Sequence, residues 1–216
     1  MKRLLQITLL ILLAFSSNSF SQTFEYGLKG GGASADNTGG IAVDPKGNAV
    51  YTGSYTGTSV SFGSIYLNAV NGGQDIFIAR VSPSGTYKWA VSAGSKTGDA
   101  GNTVAIDNLG YIYIAGNCGD TSVFDQDTAF TGPSFIAKYD TMGNCIWVKT
   151  LAIDYIKTIV CDNHSNIFAV GTYSGTKIIG ITTLTSNGGN DLVAAKFDSA
   201  GTNLWAIGIG GADNEN

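Results

Sequence analysis

The chain has 216 residues, of which 30 are glycine, 13% are charged and 11% are aromatic. Its glycine share is about twice the average, and its low charge with abundant apolar residues excludes an intrinsically disordered chain. A net charge of −4 leaves no positive field for phosphates, which excludes a nucleic-acid-binding protein. Strong helix formers are sparse beyond residue 15, so the composition predicts an all-β fold.

Residues 1–21 have the pattern of a secretory signal peptide. Lys2 and Arg3 precede twelve mainly apolar residues, 4–15, and the small residues Ser19 and Ser21 stand before the expected cleavage site. Twelve helical residues span about 18 Å, short of the roughly 30 Å hydrocarbon core of a membrane. We therefore predict a secreted chain, extracellular or at the cell surface after periplasmic transit, without stable membrane insertion after cleavage.

Residues 22–216 contain an internal repeat. Trp89, Trp147 and Trp205 are each 58 residues apart and lie in segments that align without gaps. A second set of segments aligns around sequences such as IAVDPKGNAVYTG, at residues 41–53, 104–116 and 159–171. Self-similarity at a fixed period indicates a repeat architecture.

Each copy predicts four strands joined by tight turns. In the first copy the strands are expected at 41–44, 49–55, 76–82 and 87–92, where β-branched and aromatic runs are bounded by turn residues. The sequence DPKG at 44–47 has the preferences of a type I turn, and equivalent turns follow each third strand. Four such strands form an antiparallel meander, with a small extra hairpin expected around Gly63.

A four-stranded sheet that is apolar on both faces needs neighbouring copies to cover it. Radial stacking predicts a β-propeller of four-stranded antiparallel blades of about 58 residues, and a linear β-solenoid is the alternative. The predicted divisions are a lone outer strand and loop at 22–38, blades at 39–95, 96–153 and 154–211, and the start of a further blade at 212–216.

Three full blades with partial ones make an incomplete ring, since propellers generally have at least four blades. Residues 23–32 look like a fourth strand without its first three, with Tyr26 in the tryptophan position. We therefore expect the 216 residues to be the N-terminal fragment of a longer polypeptide. Two chains that associate into one ring are the alternative.

The repeat resembles the secreted bacterial β-propeller repeats, or SBBP repeats, whose pattern runs IAVD, GN-hydrophobic-Y, TG, FG, GG-x-D-x-F-hydrophobic-A-K, D-x-x-G and W. The first copy matches this pattern at Ile41 to Asp44, Gly47, Asn48, Tyr51, Gly53, Phe62, Gly63, Gly72, Gly73, Asp75, Phe77, Ala79, Gly85 and Trp89. The second copy departs most, because Pro133 and Ser134 replace the glycine-rich approach to its third strand. The resemblance implies a Gram-negative bacterium and a C-terminal sorting or adhesion domain in the full-length chain.

The loops that enter the first strand of each copy carry the candidate ligand-binding residues. These are Asp36, Asn37, Asp99, Asn102, Asp154, Tyr155, Lys157, Asp213 and Asn214. If the loops meet at the mouth of the ring, their oxygens would converge and suit Ca²⁺ or a sugar, whereas turn formation is the alternative role. Residues 154–157 replace the pattern of the other loops, so they mark where the copies differ.

Other polar residues are explained by structure. Asp44, Asp107 and Asp162 each begin the same tight turn, where a carboxylate caps backbone N–H groups. The single histidine, His164, lies in a turn and supports no catalytic pair. Three cysteines without metal-binding spacing predict free thiols. We expect no catalytic, metal-binding or cofactor-binding residues in this chain.

The sequence therefore predicts a secreted, non-catalytic β-propeller that serves as a binding or scaffold module, with an extracellular glycan or protein as its partner. The alternative is the N-terminal part of an extracellular polysaccharide-active hydrolase or lyase with catalytic residues beyond Asn216. Glycan binding without product release would favour the first, and release of reducing ends would favour the second.

Overall fold

The computed structural model describes residues 27–70, 72–125, 128–130, 132–213 and 215. The predicted signal peptide, Tyr26 and Asn214 lie outside these residues. The strands are β1 (Gly30–Gly32), β2 (Asp36–Val43), β3 (Ala49–Thr56), β4 (Ser59–Phe62), β5 (Ile65–Asn68), β6 (Gln74–Val81), β7 (Tyr87–Gly94), β8 (Ala100–Ile106), β9 (Ile112–Asn117), β10 (Ser122–Phe124), β11 (Thr128–Phe130), β12 (Ser134–Tyr139), β13 (Cys145–Leu151), β14 (Tyr155–Cys161), β15 (Ile167–Ile179), β16 (Thr182–Phe197) and β17 (Asn203–Ile209). The predicted all-β class is confirmed.

The strands form three successive four-stranded antiparallel units, which we call blades. Blade 1 is β2-β3-β6-β7, blade 2 is β8-β9-β12-β13 and blade 3 is β14-β15-β16-β17. Tight turns join the strands as predicted: the Gly47 N–H donates to the Asp44 carbonyl at 2.9 Å, and Gly110 and Asp107 repeat this bond at 2.9 Å. Glycine suits the last position of these turns because its φ there is positive, 79° at Gly47.

A small hairpin follows the second strand of each of the first two blades and reaches back to the outer strand of the sheet in front. The β10–β11 hairpin of blade 2 pairs with β7, placing Phe124 opposite Ala93, so that blade 1 becomes part of a six-stranded sheet. The β4–β5 hairpin of blade 1, predicted around Gly63, pairs with β1 in the same way. In blade 3 the hairpin is a continuous extension of β15 and β16, with an irregularity between Ser174 and Thr176.

The blades pack face to face, and this explains strands that are apolar on both sides. Successive side chains of a strand point to opposite faces. In β9, Ile112 and Ile114 lie in the apolar cluster between blades 1 and 2, whereas Tyr113 and Ala115 lie in the cluster between blades 2 and 3. The first strands β2, β8 and β14 lie side by side at one edge of the stack.

These features are compatible with propeller-like blades, but the described residues do not close into a ring. The outward faces of blades 1 and 3 leave large apolar side chains exposed, among them Ile41, Val43, Ile207 and Ile209. No helix in the described part of the chain is long and apolar enough to cross a bilayer.

Candidate functional site

The beginnings of the first strands β2, β8 and β14 come together at the edge of the stack where these strands lie side by side. A side chain on Gly39 would meet the Gly101 carbonyl oxygen, so this backbone approaches the segment around Asn102 closely. The Asn102 amide donates to the Ile156 carbonyl at 3.2 Å, and the Asn117 amide donates to the Asp154 carbonyl at 2.8 Å. The structure therefore brings three of the four predicted segments together into one continuous rim. The prediction that they are loops was wrong, because most of their residues form the first residues of β2, β8 and β14.

Two of the predicted ligand residues cap the chain where it enters the first strand of a blade. Asp36 accepts a hydrogen bond from the Gly32 N–H at 2.8 Å, and Asp99 accepts one from the Ser95 N–H at 2.7 Å. Asp99 is buried and also accepts bonds from the hydroxyls of Ser95 and Ser122. Both carboxylates thus act in the turns, and Asp99 does not face solvent.

Residues 154–157 lie at the start of β14 and include one structural side chain, Asp154, and two exposed ones, Tyr155 and Lys157. Asp154 accepts the N–H and the hydroxyl of Ser174, each at 2.8 Å, and forms an ion pair with Lys177. Burial raises the pKa of Asp154, but the bonds from Lys177 and Ser174 outweigh it and leave that pKa below its usual value. Tyr155 is 47% exposed, and the Lys157 ammonium lies 5.9 Å from its ring centroid.

Tyr155 and Lys157 are therefore the predicted candidates best placed to touch a ligand. An exposed aromatic ring beside a charged donor suits stacking on an apolar sugar face, with a hydrogen bond to a hydroxyl. Asp213 is also exposed, but it lies beyond β17. Its neighbour Glu215 accepts a bond from the Gly211 N–H at 3.0 Å, which repeats the capping role of Asp99.

An aromatic cavity of about 360 Å³ lies on the open face of blade 1. Tyr51, Phe62, Phe77 and Tyr87 line it, and Asp36 and Asn37 add polar groups. The Tyr51 and Tyr87 hydroxyls are 2.6 Å apart. Burial, together with this hydrogen bond, raises the pKa of Tyr51 well above its usual value, so the phenol stays neutral.

The turn carboxylates have the structural role predicted for them. Asp44 Oδ1 accepts the N–H groups of Lys46 and Asn48, both at 2.9 Å. Asp162 repeats this capping with the His164 and Asn166 N–H groups, also at 2.9 Å, and His164 is exposed. Among the described residues, no group of three or more His, Cys, Asp or Glu side chains could hold a metal ion.

The hydrogen bonds by which a basic residue of one blade holds the last turn of the next blade were not predicted from the sequence. The Arg80 guanidinium, on the third strand of blade 1, donates to the Thr141 carbonyl of blade 2 at 2.9 Å, and the Trp89 indole donates to the same oxygen at 3.0 Å. The Lys138 ammonium of blade 2 donates to the Ser199 carbonyl of blade 3 at 3.1 Å. We call this the inter-blade contact.

Glycine completes the inter-blade contact. A Cβ on Gly143 would stand 2.9 Å from the Trp89 ring, and one on Gly201 would stand 3.0 Å from the Trp147 ring. The tryptophan of one blade therefore packs on the glycine that ends the turn between the third and fourth strands of the next blade. The signal was the basic residue that follows alanine in each third strand, in IARV, IAKY and AAKF.

No family model matches the chain. It is 25% identical over 156 residues to an uncharacterized WD repeat-containing protein, L264, of Acanthamoeba polyphaga mimivirus. The alignment covers 62% of this chain, but the chain spans only 11% of that relative. Among solved structures, it is similar to a protein of unknown function from Bacteroides caccae, with a TM-score of 0.31, 8% identity and coverage of 80% and 82% of the two chains. The WD-repeat relative and the stacked four-stranded sheets suggest a repeat, propeller-like fold.

Proposed function

We propose that this chain is a secreted, non-catalytic β-propeller module of the SBBP repeat type that binds an extracellular glycan at the rim of its first strands. The observation that carries the proposal is the continuous rim formed by the beginnings of β2, β8 and β14, in which Tyr155 and Lys157 are exposed side by side. The polar residues around them are engaged in capping and inter-strand bonds. Their role is to hold the rim rigid, which lowers the entropic cost of binding.

The signal-peptide pattern supports the extracellular location, and the repeat resemblance supports the scaffold role. In the full-length chain a sorting or adhesion domain would attach this module to the cell surface. Nucleic acid is not a partner, because the net charge of −4 offers no field for phosphates.

A glycan array with residues 22–216 tests the proposal, with Tyr155→Ala as the site variant and Tyr66→Ala as the matched control. Tyr66 is also an exposed tyrosine, 73% accessible, but it lies on the β4–β5 hairpin. We expect Tyr155→Ala to weaken binding at least tenfold, and Tyr66→Ala to leave it unchanged. Loss of one stacking ring together with its buried apolar area costs about 1.5 kcal/mol, and a tenfold change in affinity corresponds to about 1.4 kcal/mol.

Reducing-end assays on the glycans that bind complete the experiment. Binding without new reducing ends supports a non-catalytic module. Release of reducing ends by residues 22–216, or binding that both tyrosine variants leave intact, would contradict the proposed function. For each variant, a thermal unfolding midpoint close to that of the unsubstituted chain shows that the fold is unchanged.

A further inference from the structure

Blade 3 carries the donor residues of the inter-blade contact, but within the described residues no blade follows it. Lys196 lies opposite Trp205 in the strand register, as Lys138 lies opposite Trp147 and Arg80 opposite Trp89. In the described structure the Lys196 ammonium is 3.4 Å from Asp162 and lies over the Phe168 ring. The donor and the indole that join the other blades are therefore present here without a turn carbonyl from a next blade.

The face around Lys196 and Trp205 has the composition of an inter-blade face. Trp205 is 39% exposed, and Val160, Val170 and Ile207 on the same face are 57%, 40% and 50% exposed. The equivalent face of blade 2 includes Ala105, Tyr113, Ala115 and Ile136, all of which are buried against blade 3. The face of blade 2 that corresponds to the open face of blade 3 is thus covered by the next blade.

The chain after β17 also repeats the path that leads into a new blade. Asp99 donates its N–H to the Gln74 carbonyl at 2.8 Å and caps the Ser95 N–H, and β8 starts at the next residue. Glu215 donates its N–H to the Asn190 carbonyl at 2.8 Å and caps the Gly211 N–H at 3.0 Å. Glu215 therefore holds, after blade 3, the position that Asp99 holds after blade 1, directly before the first strand of the next blade.

We propose that the open face of blade 3 is the docking site for a further four-stranded blade of the same repeat, joined covalently to β17 through the Glu215 crossing. The second carbonyl of its last turn accepts a hydrogen bond from Lys196, and the glycine of that turn packs on Trp205. A second copy of this chain fits less well. If two copies closed one ring, β17 of each copy would have to pair with β4 of the other. That place is already held by β1, which pairs with β4 of its own chain.

The test appends a copy of residues 100–153 directly after Glu215, which preserves the register of the crossing. The copy carries Phe in place of its own tryptophan. Lys196→Met is the site variant and Lys138→Met is the matched control, since the Ser199 carbonyl that accepts from Lys138 is present in both chains. We measure the Tm of the extended and unextended chains, acrylamide quenching of tryptophan fluorescence, and sedimentation velocity.

We expect Lys196→Met to lower the Tm of the extended chain by about 3 °C or more and to leave the unextended chain nearly unchanged. Lys138→Met should lower the Tm of the extended and the unextended chain by a similar amount. Acrylamide quenching of Trp205 fluorescence should be weaker in the extended chain. An equal effect of Lys196→Met in both chains, or unchanged quenching, overturns the proposal. A dimer of the unextended chain that Lys196→Met dissociates also overturns it, because the occupant is then a second copy.

Discussion

Replacement of Arg80 by methionine removes two contacts together, the ion pair with Asp44 within blade 1 and the inter-blade bond to Thr141. The Arg80 side chain is 10% exposed and donates to the buried Asp44 carboxylate at 2.6 Å and to the Thr141 carbonyl at 2.9 Å. Methionine keeps the aliphatic stem but leaves Asp44 without its counter-charge. Breaking a buried ion pair in this way costs about 3–5 kcal/mol. Because Lys46 and Asn48 still donate to Asp44, we expect the lower end, about 3 kcal/mol.

Urea unfolding of residues 22–216, followed by circular dichroism, gives the loss in the free energy of unfolding. Arg80→Lys restores the residue type of the other two blades and should lose only about 1 kcal/mol, since an ammonium group can replace one of the two bonds. Asp44→Asn combined with Arg80→Met should lose less than the sum of the single variants, because no unpaired charge remains. A loss below about 1 kcal/mol for Arg80→Met, the range of exposed ion pairs, would refute this reasoning.

Three further predictions concern a turn, a buried carboxyl and a buried thiol. Ser165 has a φ of 60° at the position where the equivalent turns have glycine. Ser165→Gly should therefore raise the free energy of unfolding by about 0.5–1 kcal/mol. The reverse change, Gly110→Ser, should lower it by about 1–2 kcal/mol, and urea unfolding measures both. Burial, together with the nearby Asp99 carboxylate, raises the pKa of Asp75 to about 6 against the hydrogen bond from the Val70 N–H. The folded state therefore holds this proton more tightly than the unfolded state, whose pKa is 3.8, and stability should fall as pH rises from about 4 to 6 and then level off. Asp75→Asn should remove this pH dependence, and a slope that persists in that variant would assign it to another group. Burial raises the pKa of Cys118 to about 12, so its thiol should react with a disulfide reagent at pH 8 only after urea is added, and a rapid reaction of the native chain at this residue would contradict its burial.

The turn chemistry explains why the strands could be predicted from the sequence. Asp44 and Gly47 close a turn through local bonds, so their spacing alone locates the ends of β2 and β3. The hairpin around Gly63 was predicted for the same reason. By contrast, the Thr141 carbonyl that receives two bonds from blade 1 is a backbone group. Any residue supplies such an oxygen, so no side chain at that position indicates the contact.

The rim residues show a second limit of sequence reasoning. A carboxylate that caps a crossing and one that binds a ligand have the same residue type and the same flanking glycines. Asp99 is distinguished only by its burial and by the Ser95 and Ser122 hydroxyls that surround it. Tyr155 and Lys157 were singled out because their segment differs from the other copies. The structure leaves both side chains exposed, as it does those of Asp36, Asn37 and Asp213.

The backward-reaching hairpins determine where this chain is prone to aggregate. Unpaired strand edges recruit strands from other molecules unless something covers them. The end of β7 is covered because β10 pairs with Ala93 and Gly94. Within the described residues β13 and β17 are both outer strands without a paired hairpin, and on β17 the apolar side chains Ile207 and Ile209 are 50% and 58% exposed. Aggregates should therefore grow from this end of the molecule, and charged substitutions on β17 should improve soluble yield more than the same changes on β7.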